Sequence, residues 1–278
     1  MQPIKRQFMN RLLWDVESPV RFARNFNAYC KLRGRLVRIL SYDDQKKFLV
    51  QQPDGQTIYV GRIQRIKEKY LAGGDRLDEI YQKYLLADIE FQESDVIIDV
   101  GANIGELSVC LGRRFGLTSI ACEPDPVELG CLEGNLEGLN GRIVKQPLWE
   151  SAGQKEFFFR NQTGDSSLIL GQASSGSMKV MCTTLDEVYR DFCDDDETKR
   201  IRLLKLEAEG AEPEILRGGE RVIRYFDYVS ADLGPERGLK KENTVAECAN
   251  FLLDHGFKVA RVDPRRAIFL FRNQQSES

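Results

Sequence analysis

The sequence predicts an α/β protein with a mostly parallel sheet flanked by helices, preceded by a smaller α+β segment. Three observations predict this class. Short apolar runs alternate with amphipathic segments from residue 96 onward, which is typical of βαβ units. One run ends in a glycine-rich turn, and the last two runs are separated only by the polar turn 263–266. The 278 residues are 42% hydrophobic and 30% charged, a globular composition that allows a sizeable core.

A β-hairpin is the clearest element of the smaller segment. Runs 48–50 and 57–60 flank Pro53-Asp54-Gly55, where glycine suits a left-handed conformation. We place the domain boundary near residue 90, so that the domains are 1–90 and 91–278. The other elements expected before the boundary are a strand at 35–40 and a helical segment at 63–89, interrupted at Gly73-Gly74.

The larger domain is predicted to alternate strands and helices. The expected helices are 105–115, 126–140, one from 210 and 244–255, and the expected strands are 96–100, 118–123, 142–148, 156–159, 178–182, 201–207, 228–233, 257–262 and 267–271. Thr244 and Glu247 have the spacing of a capping box at the start of the last helix. The final two strands are expected to form an antiparallel hairpin. The polar loop 161–177 is either a lid over a bound ligand or a mobile loop.

The glycine-rich turn follows the run 96–100 and precedes a helix. Gly101 and Gly105 bracket the turn, and glycine allows backbone to approach a ligand closely. Such turns, at the carboxyl ends of parallel strands, bind nucleotide-like ligands. The dinucleotide fingerprint and the phosphate loop are absent, and carboxylates at Asp99 and Glu106 would repel a pyrophosphate. The turn therefore favours S-adenosylmethionine, a nucleoside without phosphate.

An acidic residue near the end of the second strand supports the same ligand. Glu123 lies 22 residues after Gly101. At this position a carboxylate can accept hydrogen bonds from both ribose hydroxyls. Two acidic strand ends therefore agree in position, which makes an ordinary βαβ unit without a ligand the less favoured interpretation.

Charge and cysteine usage bear on partners and location. Residues 1–38 carry a net charge of +7 against −3 for the whole chain, so residues 39–278 carry −10. We favour packing of this basic, aromatic-rich leader on the acidic body or on a second subunit; contact with an anionic membrane surface is the alternative. No run approaches the ~18 apolar residues of a membrane helix, and we expect no secretory signal. The seven scattered cysteines are expected to be reduced core thiols in a cytoplasmic protein.

Four blocks of the sequence resemble the FkbM family of methyltransferases. They are DVGANIGELS at 99–108, EPDP at 123–126, LLKLEAEGAEPEILRGG at 203–219 and ADLGPERG at 231–238. The order of elements is also similar to that of class I S-adenosylmethionine-dependent methyltransferases. The resemblance implies a Rossmann-like fold with a mostly parallel seven-stranded sheet and a terminal antiparallel hairpin. The chain departs from the family at Glu207-Ala208, where members usually have Asp and Val.

The resemblance adds residues to the cofactor site. Family members have Ser-containing loops at the position of 161–177, and many such enzymes contact the adenine near the position of Trp149, which is equally suited to the core. The residues expected to bind the cofactor are Asp99, Gly101, Asn103, Gly105, Glu123, Pro124, Trp149, Ser166 and Ser167.

Methyl transfer to a hydroxyl requires alignment of the oxygen and removal of its proton. The one histidine, His255, is expected to cap the last helix directly before Gly256. The base is therefore expected among carboxylates at the ends of central strands, namely Glu207, Glu209 and Asp232. These carboxylates could instead hold Mg²⁺, which would lower the pKa of the hydroxyl. We rank the metal second because no clustered aspartates or ligating histidine support it.

The sequence thus predicts a cytoplasmic O-methyltransferase that uses S-adenosylmethionine and acts on a sugar, a glycan or a related metabolite, as the family resemblance implies. The alternative is a non-catalytic cofactor-binding or scaffold subunit that docks a membrane or a partner through its basic arm. A nicotinamide dehydrogenase ranks third because the central glycine is missing. No nucleic-acid partner is expected. The acceptor's identity and the formation of a homo-oligomer are left open.

Overall fold

A helix packed on a three-stranded antiparallel sheet opens the computed structural model, which describes residues 18–43, 45, 47–160, 164, 166–170, 174–192 and 200–277. Helix α1 (Pro19–Leu32) has Ser18 as its N-cap and buries Phe22, Phe26 and Cys30. The sheet consists of β1 (Arg38–Tyr42), β2 (Phe48–Gln51) and β3 (Thr57–Val60) in that order. The predicted hairpin is confirmed as β2–β3. Residues 1–17 of the basic leader lie outside the described residues.

Short helices connect this sheet to the larger domain. They are α2 (Ile63–Arg65), which continues as a π-helix (Ile66–Tyr70), then α3 (Arg76–Lys83) and a 3₁₀ turn (Leu86–Asp88). The predicted break at Gly73-Gly74 separates the π-helix from α3. Asp75 caps α3 by accepting hydrogen bonds from the N–H groups of Leu77 and Asp78.

A seven-stranded sheet forms the centre of the larger domain. In chain order the remaining strands are β4 (Val96–Val100), β5 (Thr118–Cys122), β6 (Gly141–Val144), β7 (Gly153–Phe159), β8 (Gly176–Cys182), β9 (Ile201–Leu206), β10 (Phe226–Asp232), β11 (Phe257–Asp263) and β12 (Ile268–Asn273). The sheet order is β11-β12-β10-β9-β4-β5-β6, and β12 is antiparallel to both neighbours while the others run parallel. Strands β7 and β8 form a separate antiparallel ribbon. The predicted fold class is confirmed.

Helices cover both faces of the central sheet. They are α4 (Glu106–Phe115), α5 (Pro126–Asn135), α6 (Leu185–Phe192), α7 (Glu212–Arg217) and α8 (Val245–Asp254). Successive side chains of a strand point to opposite faces, so Ile97 belongs to one core and Ile98 to the other. The first core also contains α1, the three-stranded sheet, α4 and α5. The N-terminal segment therefore shares a continuous core with the helices on one face.

The capping box predicted at the start of the last helix was wrong. Thr244 precedes α8 but makes no capping hydrogen bond to it. Its hydroxyl instead donates to Oε2 of the buried Glu212 at 3.1 Å, and Asn243 Oδ1 accepts the hydrogen bond from the N–H of Val245. A buried carboxylate needs every available hydrogen bond, which explains why Thr244 is used there.

Two other predicted elements are shorter than expected. The strand predicted at 142–148 is continuous only over Gly141–Val144, although Leu148 forms an isolated bridge with Thr183. The helix predicted at 126–140 ends at Asn135. The helix ends where the Asn135 side chain bonds to the main chain of Tyr59 in β3. These tertiary hydrogen bonds hold the last residue of the helix against β3.

The six cysteines within the described residues are buried and free, as predicted; Cys193 lies outside the described residues. In the described ranges, no helix has both the length and the apolar character needed to cross a bilayer.

Asn135 joins three elements, which makes its removal a test of the packing. Its side chain accepts from the N–H of Tyr59 at 2.6 Å and donates to the carbonyls of Tyr59 at 3.0 Å and Ile104 at 2.8 Å. Asn135→Ala is expected to lower the free energy of unfolding by about 2–4 kcal/mol, because buried groups lose their partners. Urea denaturation measures this change. Asn140→Ala, which removes one exposed hydrogen bond, is the control and should cost under about 1 kcal/mol; equal losses in both variants would contradict the interpretation.

Candidate cofactor and active site

A cavity lies at the carboxyl ends of β4, β5 and β9 and encloses about 1010 Å³, including space open to solvent. Nine of the predicted site residues line it: Asp99, Gly101, Asn103, Glu123, Pro124, Ser166, Ser167, Glu207 and Glu209. The predicted residues Gly105, Trp149 and Asp232 are not part of the lining. The structure therefore brings most of the predicted site together.

The glycine turn passes very close to the end of the neighbouring strand. Gly101 has a φ of 69°, and a Cβ at this position would lie 1.8 Å from the carbonyl oxygen of Glu207. Only glycine fits this approach without a shift of the backbone. Asn103, at a φ of 54°, donates its N–H to Glu123 Oε2 at 2.8 Å. The turn is thus held between the ends of β9 and β5.

Glu123 is buried and fixed by main-chain hydrogen bonds. Its second oxygen, Oε1, accepts from the N–H of Asp125 at 2.7 Å. Burial raises the pKa of Glu123 to about 8, although the N–H groups of Asp125 and Asn103 favour the charged form. Because a carboxylate has about four acceptor positions, Glu123 can accept two further hydrogen bonds from the cavity.

A buried lysine on the neighbouring strand stabilises the glycine turn. Lys205 on β9 donates to the carbonyls of Val100 at 3.0 Å and Gly101 at 2.6 Å, and it lies 3.2 Å from Asp99 Oδ1. Asp99 Oδ2 also accepts from the hydroxyl of Ser108 at 2.9 Å. Burial opposes the charge of Lys205, but Asp99 and Glu207 raise its pKa above the usual value. Asp99 therefore supports the turn through Lys205.

Both carboxylate oxygens of Glu207 have partners. It accepts hydrogen bonds from Lys83 and from the hydroxyl of Tyr84, and Lys205 Nζ lies 3.7 Å away. Burial would raise the pKa of Glu207, but Lys83 and Lys205 hold it well below its usual range. The carboxylate is therefore ionised and paired, an arrangement that does not favour proton uptake near neutral pH.

Asp232 lies behind this pair. Its Oδ2 is 3.2 Å from Lys83 Nζ, so Lys83 bridges Asp232 and Glu207. Burial and the charge of Glu207 raise the pKa of Asp232, and Lys83 opposes them. Glu236, which sequence reasoning did not single out, has a pKa raised to about 8 by burial and by the charges of Glu207 and Asp232.

Glu209 is held in a left-handed conformation at the cavity. Its φ is 53°, which is unfavourable for a residue with a Cβ and is often found at functional sites. The buried Glu212 fixes the chain around it by accepting from the N–H groups of Ala208 at 2.8 Å and Gly210 at 3.1 Å. The Glu209 carboxylate lies 3.7 Å from Arg160 NH1.

The serines of the polar loop reach across the cavity. Ser166 donates its hydroxyl to Asp125 after β5 at 2.8 Å. The Ser167 hydroxyl lies 3.3 Å from the carbonyl of Ala208 and 3.2 Å from that of Glu209, after β9. The loop thus spans two strand ends, an arrangement compatible with the predicted lid, which stays a prediction. Asp165 lies outside the described residues.

The remaining predicted residues have structural positions. Gly105 is the N-cap of α4 with a φ of 85°. Trp149 is buried in the core on the second face of the sheet, with Lys155 Nζ 4.8 Å from its ring centroid. His255 bonds through Nδ1 to the carbonyl of Phe251 at 2.7 Å and stacks on its ring, as predicted for a helix end.

Sequence reasoning missed one wall of the cavity. Residues of the N-terminal helical segment line it: Arg65, Lys69, Arg76, Ile80, Lys83 and Tyr84. The segment was expected to be an appendage because it precedes the recognised blocks. The available signal was the spacing of the cations within each helical piece: Arg65 and Lys69 are four residues apart, and Arg76 and Lys83 are seven apart, so each pair shares one side of its helix.

The comparison with known families agrees with this geometry. The methyltransferase FkbM domain matches residues 99–259, which is more than half of the chain. This chain belongs to the FkbM methyltransferase family. The matched range contains the glycine turn, Glu123, Glu207, Glu209 and Asp232, and S-adenosylmethionine is the cofactor.

Individual relatives are more distant. Methyltransferase sdnD from Sordaria araneosa is 30% identical over 171 residues, which cover 50% of this chain and 66% of that protein. The hexuronic acid methyltransferase AglP from Haloferax volcanii is 23% identical over 144 residues, which cover 52% of this chain and 58% of AglP. Each match spans less than two thirds of the relative's length. The solved FkbM methyltransferase of Methylobacillus flagellatus is 17% identical with a TM-score of 0.48, over 90% of this chain and 59% of that one.

Metal ligation was the second-ranked use of the carboxylates. Within the described residues, no group of three or more His, Cys, Asp or Glu side chains has an arrangement that could hold a metal ion.

The close approach of Gly101 to Glu207 predicts that a side chain at position 101 impairs both the stability of this FkbM domain and its cofactor binding. Gly101→Ala is expected to lower the free energy of unfolding by about 2–5 kcal/mol, through the left-handed φ and the collision with Glu207, and to abolish binding of S-adenosylhomocysteine. Denaturation and calorimetry measure the two effects. Gly138→Ala is the matched control, since its φ is 78° but a Cβ there meets nothing within 4 Å. It should be less destabilising and bind normally; equal losses would contradict the role of the close approach.

Proposed function

We propose that this FkbM-family protein transfers the methyl group of S-adenosylmethionine to a hydroxyl of a sugar or glycan. The observation that carries the proposal is the strained Glu209 at the cavity, held there by Glu212 and Ser167. The similarity to AglP, named a hexuronic acid methyltransferase, supports a sugar acceptor. The polar lining of the cavity suits a hydroxyl-rich substrate.

The residues at the glycine turn fit the cofactor. S-Adenosylmethionine supplies an electrophilic methyl group on its sulfonium when bound. Glu123 offers two acceptor positions for ribose hydroxyls, and Gly101 and Ala102 provide a backbone surface without bulky side chains. Pro124 and Phe157 add apolar area to the same cavity, which suits a purine ring.

Glu209 is the proposed base. An alcohol hydroxyl is a weak acid, so its attack on the methyl group is helped by a carboxylate that takes the proton. Glu209 lines the cavity directly after β9, where open α/β sheets place their substrates. Its backbone is fixed on both sides by Glu212, and its carboxylate lies beside Arg160 NH1 at 3.7 Å, so the side chain is positioned before the substrate binds.

Glu207 and Asp232 have a positioning role in this proposal. Both contact Lys83, and Glu207 also holds the hydroxyl of Tyr84. The low pKa of Glu207 makes it a poor proton acceptor. The two carboxylates instead fix Lys83, and Glu207 also fixes Tyr84, in the cavity wall.

The raised pKa of Glu123 predicts pH-dependent binding. Hydroxyl donors favour the ionised carboxylate, so affinity for 5′-methylthioadenosine should rise between pH 6 and about 8, by at most about tenfold per pH unit. It should be constant at higher pH, because Glu123 is then ionised without ligand. Calorimetry across this range measures the profile, and this ligand has no amino-acid group of its own to titrate. Glu123→Gln should bind more weakly with a flat profile; a flat profile in the wild type would refute the assignment.

Replacing the base separates binding from turnover. Glu209→Gln is expected to leave the affinity for S-adenosylhomocysteine within about twofold and to reduce kcat by about 10²–10⁴-fold. Titration and labelled methyl transfer provide the two measurements. Glu133→Gln, at an exposed ion pair with Lys145, is the control and should be fully active. Retained turnover in Glu209→Gln would remove it as the base.

The acceptor class is tested with labelled methyl transfer to fractionated glycans and lipids of host cells. Label in a sugar-containing product, identified by mass, with the methyl ether on a hydroxyl, supports the proposal. Label on another class of molecule would overturn the sugar acceptor. Binding of S-adenosylhomocysteine without any transfer would favour the scaffold subunit that the sequence left as the alternative.

A further inference from the structure

A group of cations in the N-terminal wall is not used by the proposed chemistry. Arg65, Lys69 and Arg76 line the cavity together with Glu106. Arg65 NH2 lies 2.5 Å from Glu106 Oε2, and Arg76 Nε lies 3.0 Å from Glu106 Oε1. The hydroxyl of Tyr70 also donates to Glu106, at 2.7 Å. One carboxylate therefore faces three cations.

Two of these cations have unused hydrogen-bonding capacity. Arg65 is buried, with a relative exposure of 8%, and its Nε has no hydrogen-bond partner. Within the described chain, the Lys69 ammonium makes no ion pair or hydrogen bond, although it is partly buried. Burial and the neighbouring charges of Arg76, Arg65 and Lys83 lower its pKa. A cation that is buried without a partner is costly, and an anion in the cavity would compensate for this cost.

The local helix geometry brings these side chains together. Arg65 and Lys69 are four residues apart, across the start of the π-helix Ile66–Tyr70, so they share one side of it. Wide π turns occur frequently at functional sites. Arg76 comes from the first turn of α3 and reaches the same carboxylate from the other direction.

The position of the cluster defines which anion it meets. Glu106 directly follows Gly105, and the glycine turn runs from there back to Gly101. The other side of the turn is tied to Glu123 through the N–H of Asn103. A nucleoside held by Glu123 and extended along the turn therefore ends beside the cations.

We infer that Lys69, with Arg65 and Arg76, binds the carboxylate of the amino-acid part of S-adenosylmethionine. This inference rests on the proposed cofactor binding and adds the residues that recognise one end of the cofactor. The lysine supplies a charge-assisted hydrogen bond to the carboxylate. Arg65 and Arg76 add positive charge beside the lysine, and Glu106 keeps both arginines in place.

The test compares two ligands that differ by one carboxylate. Full-length protein is titrated with S-adenosylmethionine and with decarboxylated S-adenosylmethionine. We expect the wild type to prefer the intact cofactor by about tenfold or more, the value of a hydrogen bond between charged groups. Lys69→Met should weaken the binding of the intact cofactor about tenfold. It should change the affinity for the decarboxylated cofactor by less than about twofold. Lys69→Arg should restore most of the preference.

A neighbouring lysine provides the control. Lys67 is on the same π-helix but lies over the ring of Phe22, 5.7 Å from its centroid, and it does not line the cavity. Lys67→Met should keep the wild-type preference. The inference would be overturned if Lys69→Met weakened the binding of both ligands equally, or if it changed the binding of neither. A raised KM for the acceptor with an unchanged ligand preference would also overturn it. Failure of the wild type to bind either ligand would instead refute the proposed function.

Discussion

The buried carboxylate of Glu106 is the interaction on which the cavity depends. It begins α4 directly after the glycine turn, and it accepts from Tyr70, Arg65 and Arg76. Negative charge is favourable in the first turn of a helix, and the two arginines compensate for its burial. Breaking such a buried pair costs about 3–5 kcal/mol. The N-terminal helical segment is therefore fixed against the cofactor turn, and the cavity has a wall that the FkbM domain alone would lack.

A second set of buried charges organises the end of β9. Glu207 binds Lys83 and Tyr84 from the N-terminal segment, whereas Glu212 binds the main chain on both sides of Glu209. Lys205 joins the glycine turn to the same strand. These contacts restrict the motion of the groups that face the substrate. The strain at Glu209 is of the same order as the stabilisation from the buried hydrogen bonds that maintain it.

The sequence alone predicted those features of the fold and site that depend on residues close together in the chain. Apolar periodicity and the terminal hairpin predicted the sheet, and the spacing of Gly101 and Glu123 predicted the cofactor turn. The cationic wall was missed because its contacts join residues 30 or more positions apart, such as Arg76 and Glu106. The capping role of Thr244 was misassigned for the same reason, because its hydroxyl donates a hydrogen bond to the distant carboxylate of Glu212. The environment of Glu207 likewise depends on Lys83, 124 positions earlier, which no local pattern reveals.

A crystal structure of the full chain with S-adenosylhomocysteine tests the central claim most directly, namely that the glycine turn and the N-terminal wall form one cofactor site. The predicted result places the ribose hydroxyls on Glu123, the thioether along Gly101–Asn103 and the carboxylate beside Lys69, with Glu209 facing the open part of the cavity. A nucleoside bound away from Glu123, or an amino-acid group directed away from the N-terminal wall, would contradict it.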